Sequence, residues 1–291
     1  MKKISFLLAM VIVASTTAFA QNNEKDVIYI KSLKFANPLL EKWIAEYSKL
    51  NPEVKIAVAD QTVAADKIGI QLSAAGSDNK QSAYAIGRFA VLPIAAKDNA
   101  LLGELQKKKL NTKRIKELFF EKELDDEYDE PAKDKYKATV YSVANTSQVA
   151  DAFASHFGYE VSSLKGKKIS GDDIFLINAL QRDKNGVTFN NLSYVFDIQS
   201  RKLKNNIELL PLDLKREYSE VIAEADLDKV IELLEAKSID LIPVEDIAFV
   251  VLQPDSKINQ FLQWVTSEGQ VYNHQFGFLN ADKNSLAQLQ K

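Results

Sequence analysis

The stretch Val27-Ile28-Tyr29-Ile30-Lys31-Ser32-Leu33-Lys34-Phe35-Ala36-Asn37-Pro38-Leu39-Leu40, continued to Val54-Lys55-Ile56-Ala57-Val58, decides the fold class. Val27–Ile30 is a short apolar run of the kind that forms a buried strand. A loop follows to Asn37. Asn37-Pro38 then has the composition of a helix start, with Asn as the cap and Pro first in the helix. Leu39, Leu40, Trp43, Ile44, Tyr47 and Leu50 fall on one stripe of that helix, and Asn51-Pro52 stops it. Val54–Val58 alternates as a second strand. A strand, loop, helix and strand in this order favour a parallel sheet covered by helices.

The pattern continues outward. Tyr84–Ala96 is a long β-type run, and Asn111 caps a helix that extends to Phe120. Ala138–Val143 reads as a strand. The polar turn Ala144-Asn145-Thr146-Ser147 leads into a helix with Val149, Ala152, Phe153 and Phe157 on one side, ended by Gly158. Ser170-Gly171 opens a further helix, and Val187–Ile198 reads as β. Leu227, Val230, Ile231 and Leu234 mark another amphipathic helix. Ile239–Ile242 and Ile247–Leu252 read as strands, and Ile258, Phe261, Leu262 and Val265 open the last helix. Lys67–Asn79 is ambiguous, with a loop expected at Ser73-Ala74-Ala75-Gly76-Ser77. Glu121–Lys137 is charged at most positions and reads as a solvated loop. The alternation defines an α/β protein.

Composition excludes several kinds of chemistry. The 291 residues are 46% hydrophobic and carry 37 basic against 40 acidic side chains, so no general basic field exists to hold nucleic acid. The absence of cysteine removes disulfides, thiolate metal sites and cysteine nucleophiles together. Two histidines, His156 and His274, are too few for a multi-histidine zinc site; packing or helix-end roles are expected of both. No nucleophile elbow, phosphate-binding P-loop or H-E-x-x-H motif is present. Neither a catalytic residue nor a cofactor or metal site is expected.

Met1-Lys2-Lys3, the apolar run Ile4–Ala14 and the small residues up to Ala20 have the layout of an export signal. Cleavage after Ala20 is expected, giving a periplasmic protein with no span left in the membrane. An uncleaved membrane anchor is the alternative.

Two loops share one arrangement, in which a strand is followed by a short loop and a helix start. They are 31–37 and 144–147. Unpaired backbone N–H groups and the positive end of the dipole make a helix start favourable to anions. In open α/β sheets such loops line the crevice at the strands' carboxyl ends. Lys31 and Lys34 would add charge, and Ser32, Thr146 and Ser147 would add hydroxyl donors. The competing reading is that Ser147 and Asn37 only cap their helices.

Phe35-Ala36-Asn37-Pro38-Leu39-Leu40-Glu41-Lys42-Trp43 with Asn51-Pro52-Glu53-Val54, the segment Leu110–Phe120, Asn185-Gly186-Val187-Thr188-Phe189-Asn190, and the tail Phe261–Val265, Glu268-Gly269-Gln270 and Phe276-Gly277-Phe278 resemble the phosphate-binding-type periplasmic proteins of ABC transporters, in a Bacteroidetes-type variant. The resemblance implies a two-lobed periplasmic-binding-protein-like fold of type II. It would have two mixed, mainly parallel sheets and a hinge crossed twice, near Val91–Ala96 and Ile242–Ile247. Residues 21–93 with 247–291 would form one lobe and 94–246 the other. It implies capture of a small anion, phosphate first, for an ABC permease, without covalent chemistry. The family's ligand positions fall on Ser32, Leu33, Lys34 and Gln71, and on the loop with Thr146 and Ser147. The family's Gly and Ser/Thr in the first loop, its Ser and Asp in the next and its Arg in the second lobe are missing, with Val143 near the place of the Arg. This departure leaves open an envelope interaction module with the same fold and no small ligand.

Overall fold

The computed structural model describes residues 27–74, 83–121, 136–144 and 147–282. The export signal, most of the charged 121–137 segment, and Asn145 and Thr146 lie outside the described residues. The strands are β1 (Val27–Lys31), β2 (Lys55–Val58), β3 (Ile68–Ala74), β4 (Ala83–Ala96), β5 (Thr139–Val143), β6 (Lys167–Ile169), β7 (Gly186–Asn191), β8 (Ile207–Leu209) and β9 (Val244–Val251). The helices are α1 (Asn37–Leu50), α2 (Ala100–Lys107), α3 (Thr112–Phe119), α4 (Gln148–His156), α5 (Ile174–Leu180), α6 (Leu192–Val195), α7 (Arg216–Ala223), α8 (Leu227–Ala236) and α9 (Ser256–Thr266).

The strands pair in the order β2-β1-β3-β9-β4-β7-β5-β6, and β8 also pairs with β4. The two expected sheets are therefore joined through one shared strand. The first part of β4, Ala83–Ala90, pairs antiparallel with β9, and its second part, Val91–Ala95, pairs antiparallel with β7. Parallel pairs are confined to the two outer regions, β2-β1-β3 and β7-β5-β6. The shared strand sets the direction of everything else. β3 and β4 are both antiparallel to β9, so β1 and β3 run with β4, toward the second half. β7 is antiparallel to β4, so β5, β6 and β7 run toward the first half. The carboxyl ends of the two parallel groups therefore face each other across the junction, where the Val91 N–H donates to the Pro243 carbonyl at 2.9 Å.

Each half has an aromatic core. In the first, Trp43 lies edge-on to Phe249, Tyr47 to Phe261, and Phe35 stacks on Phe278. In the second, Phe153 stacks on Phe189 at 3.9 Å and lies edge-on to Phe119. Side-chain caps start most of the longer helices: Asn99, Asn111, Ser147, Asp226 and Asp255 each accept a first-turn backbone N–H. The tail docks on a bulge in β4. Gln270 and Asn273 side-chain amides both donate to the Ile86 carbonyl, and Arg88 bridges to Leu279.

Local chemistry accounts for four departures from expectation. Asn37 is the first helical residue rather than the cap, because a 3-10 turn over Lys34–Ala36 feeds the helix and Ala36 takes the cap position. Ser73 and Ala74 belong to β3, not to a loop. The β reading of 187–198 stops at Asn191, whose Oδ1 accepts the Tyr194 N–H at 3.2 Å and starts α6. Ile239–Ile242 is a turn closed by the Ile242 N–H on the Ile239 carbonyl, and the strand begins only after Pro243.

Trp43 is 1% exposed and its indole N–H donates to the Gly269 carbonyl at 2.8 Å. Trp43→Ala should cost about 3–5 kcal/mol, read as a lower urea midpoint. Trp43→Phe keeps most of the apolar contact and loses that bond, so its cost should be smaller, about 1–3 kcal/mol.

Candidate functional site

On the first side of the junction, β1 ends at Lys31, which lies beside Gln71 of β3. Ser32 is half-buried and donates to the Leu33 carbonyl at 3.2 Å. Leu33 packs against the core, and Lys34 is exposed. The first donors of this helix start are already used. The Ala36 N–H goes to the Leu33 carbonyl at 2.9 Å, the Asn37 N–H goes to the Lys34 carbonyl, and Pro38 has no N–H. Asn37 Oδ1 is buried without a partner.

On the second side, Ser147 caps α4. Its Oγ accepts the N–H groups of Val149 at 3.2 Å and Ala150 at 3.3 Å. Its hydroxyl lies 2.7 and 2.8 Å from the two carboxylate oxygens of Asp173. Asp173 follows the end of β6, and the Asn190 side chain donates to its backbone carbonyl at 2.7 Å. Burial raises the Asp173 carboxyl to about 6, the bond from Ser147 opposes that, and Asp172 and Asp151 add to it. Beside it, burial and then the Asp172 carboxylate push the Tyr194 phenol up. Lys204 stands over the Tyr194 ring at 5.9 Å, its own pKa lowered by burial.

The two sides touch. The Ala74 N–H at the end of β3 donates to Gln148 Oε1 on α4 at 3.0 Å. Next to this contact is a cavity of about 380 Å³ lined by Ala74, Gln148, Asp151, Ser155, Glu160 and Glu245. Its wall is acidic. Burial and then Glu160 raise the Asp151 carboxyl, and burial and then Asp246 raise that of Glu245, with His156 opposing. A larger cavity, about 540 Å³, lies between α7 and the segment Glu208–Leu214, and no expected ligand residue lines it.

The structure thus brings Gln71 near the loop after Lys31 and places Ser147 at the opposing helix start. Gln148, Asp151 and Glu245, which no sequence motif marks, line the smaller cavity, and Asp173 holds the Ser147 hydroxyl. The i, i+3 pair Gln148 and Asp151 on α4 was a local signal for one wall. Nothing in the sequence linked Asp173 to Ser147, which are 26 positions apart. Both histidines tie distant segments together: His156 bonds the Asp240 carbonyl at 2.7 Å, and His274 of the tail bonds Glu235 of α8 at 2.8 Å. Among the described residues no group of three His, Cys, Asp or Glu could hold a metal ion, and no helix is long and apolar enough to cross a membrane.

No protein-family model and no curated protein matches the chain. Solved structures do. A phosphate ABC transporter substrate-binding protein with bound phosphate from Clostridium perfringens is 14% identical with a TM-score of 0.58, covering 88% of this chain and 100% of its own. An ABC-type phosphate transport receptor from Vibrio cholerae is 12% identical with a TM-score of 0.53, covering 87% and 99%. A possible phosphate-binding protein from Planctomyces limnophilus is 11% identical with a TM-score of 0.51, covering 91% and 96%. At these identities the likeness shows the fold: the chain has the two-lobed, periplasmic-binding-protein-like architecture.

The Asp173 geometry sets a pH dependence. Below the ordinary aspartate value of 3.8 the group is protonated in both folded and unfolded states. Between 3.8 and about 6 the folded state holds the proton more tightly, so stability falls as pH rises through this window and stays lower above it. The size is on the order of 2–3 kcal/mol. Urea melts at about pH 4 and pH 7 should show the stability of Asp173→Asn, relative to wild type, shifting in the variant's favour at the higher pH.

Proposed function

We propose that this chain is a periplasmic solute-binding protein that holds a small solute between its lobes for ABC-type import, with an anion such as phosphate the first solute to test. The Ala74–Gln148 bond carries the reading, because it joins a strand end of one half to a helix start of the other. Such opposed strand ends are where ligands enter α/β sheets. In this proposal Ser32, Leu33, Lys34 and Gln71 contact the solute from the first lobe, and Thr146 and Ser147 from the second. The export signal is cleaved after Ala20, the receiving partner is an ABC permease, and no covalent step is involved. Kinship with the Bacteroidetes-type variants belongs to the same proposal. The lobe boundaries at 93/94 and 246/247 do too, although β4 changes partner at Ala90/Val91 and β9 begins at Val244.

The second reading is an envelope interaction module without a small ligand. It is favoured by one observation: the hydroxyl of Ser147 is already committed to Asp173. Calorimetric titration of the mature protein with phosphate and sulfate separates the two. The solute-binding reading expects heat and a thermal shift that grows with ligand, equivalent to about 2.7 kcal/mol at a hundredfold excess over Kd. No heat and no shift at millimolar anion would reject anion capture. Recovery of a stable partner from envelope extract without added anion would then move the assignment to the module.

A further inference from the structure

The larger cavity, about 540 Å³, shares no lining residue with the one beside the Ala74–Gln148 contact. Its size lies within the range of small-molecule sites, ~300–1,000 Å³. Its body is apolar, with Leu209, Leu212 and Leu214 on one side and Ile222 and Ala223 of α7 on the other. Both walls are fixed by the fold. The Leu210 N–H donates to the Pro93 carbonyl at 3.0 Å, the Leu110 N–H to the Pro211 carbonyl at 2.8 Å, and the Asp213 N–H to the Leu110 carbonyl at 2.8 Å. The Ser219 hydroxyl of α7 donates to the Leu214 carbonyl at 3.3 Å. The walls are therefore in place before a ligand arrives.

Four charged residues line it: Lys109, Glu208, Arg216 and Glu220. Arg216 Nε donates to Glu220 Oε1 at 2.7 Å on the exposed rim, so these two satisfy each other. Lys109 and Glu208 differ. Both are half-buried, and neither forms an ion pair with the other or with any further described residue. The side-chain partner of the Lys109 ammonium is the Ser219 hydroxyl at 3.5 Å, at the far limit of a hydrogen bond. A half-buried charge without a counter-charge keeps part of its desolvation cost, and a ligand of opposite charge offsets it. One cation and one anion beside an apolar body complement a zwitterion with an apolar side chain. A purely anionic or purely cationic amphiphile would meet a like charge in the same cavity.

We propose that this cavity is a second binding site, for a zwitterion with an apolar body: a short apolar peptide with free ends or an apolar amino acid. Lys109, with the Ser219 hydroxyl beside it, takes the carboxylate, and Glu208 takes the ammonium. The leucines of the 208–214 segment and Ile222 cover the apolar side chain. The site is separate from the junction and does not rest on solute capture there.

The test is calorimetric titration of the full mature chain at pH 7.5 with leucyl-leucine and with leucine, the tighter of the two identifying the source as peptide or free amino acid. Blocking either end of that ligand, by N-acetylation or by amidation, should weaken it about tenfold or more, because each block removes one charge-assisted contact. Lys109→Gln should weaken the free ligand by a similar factor and show no further loss on amidation. Glu208→Gln should do the same for N-acetylation. Equal affinity of free and blocked ligands overturns the proposal, since the charges then play no part. No heat with either free ligand at millimolar concentration overturns it as well. Neither result bears on the junction, which the phosphate titration reads separately. If a variant does not fold, the blocked ligands on wild type decide.

Discussion

One strand holds the molecule's arrangement in place. β4 spends Ala83–Ala90 on β9 and Val91–Ala95 on β7, so a single stretch of backbone belongs to both halves. Because hydrogen-bonded strands fix one another's direction, this sharing dictates that β1 and β3 point one way and β5, β6 and β7 the other. The crevice follows from that opposition. The tail reinforces the same strand, with Gln270 and Asn273 on the Ile86 carbonyl. A Cβ at Gly87 would lie 2.9 Å from the Asn273 amide nitrogen and 3.0 Å from the Leu279 carbonyl oxygen, so any larger residue there has to push the docked tail away.

What lies at the junction is less hospitable to an anion than opposed helix starts alone would suggest. A helix terminus attracts negative charge through its unpaired N–H groups. Here the 3-10 turn before α1 consumes the donors of Ala36 and Asn37, and Ser147 consumes those of Val149 and Ala150. The cavity beside the Ala74–Gln148 contact presents Asp151, Glu160 and Glu245. The architecture is shared with phosphate-binding proteins of known structure, but a fold carries no chemistry of its own; the side chains at the junction do.

The fold was largely legible from residues 27–58 outward, because apolar periodicity and caps are local. The stripe from Leu39 to Tyr47, the Asn111 and Ser147 caps and the α8 pattern all reappear as elements. The misses fall where a single side chain or a proline redirected the backbone. Asn191 turns an apolar run into a helix, and Pro243 delays a strand. The site was much less legible. Ser147 reads locally as both a cap and a ligand candidate, while its partner Asp173 reads only as part of a helix start.

The sequence by itself determined where most of the longer strands and helices fall, since those depend on neighbours within a few positions, but not short elements such as β6, β8 and α7. Only the tertiary structure decided that β4 is shared, that the strand ends face one another, and that Ser147 meets Asp173 rather than solvent. These facts depend on contacts between distant segments, and on which buried polar group satisfies which. Hydrogen-bond satisfaction inside a fold is settled by geometry that no local pattern encodes.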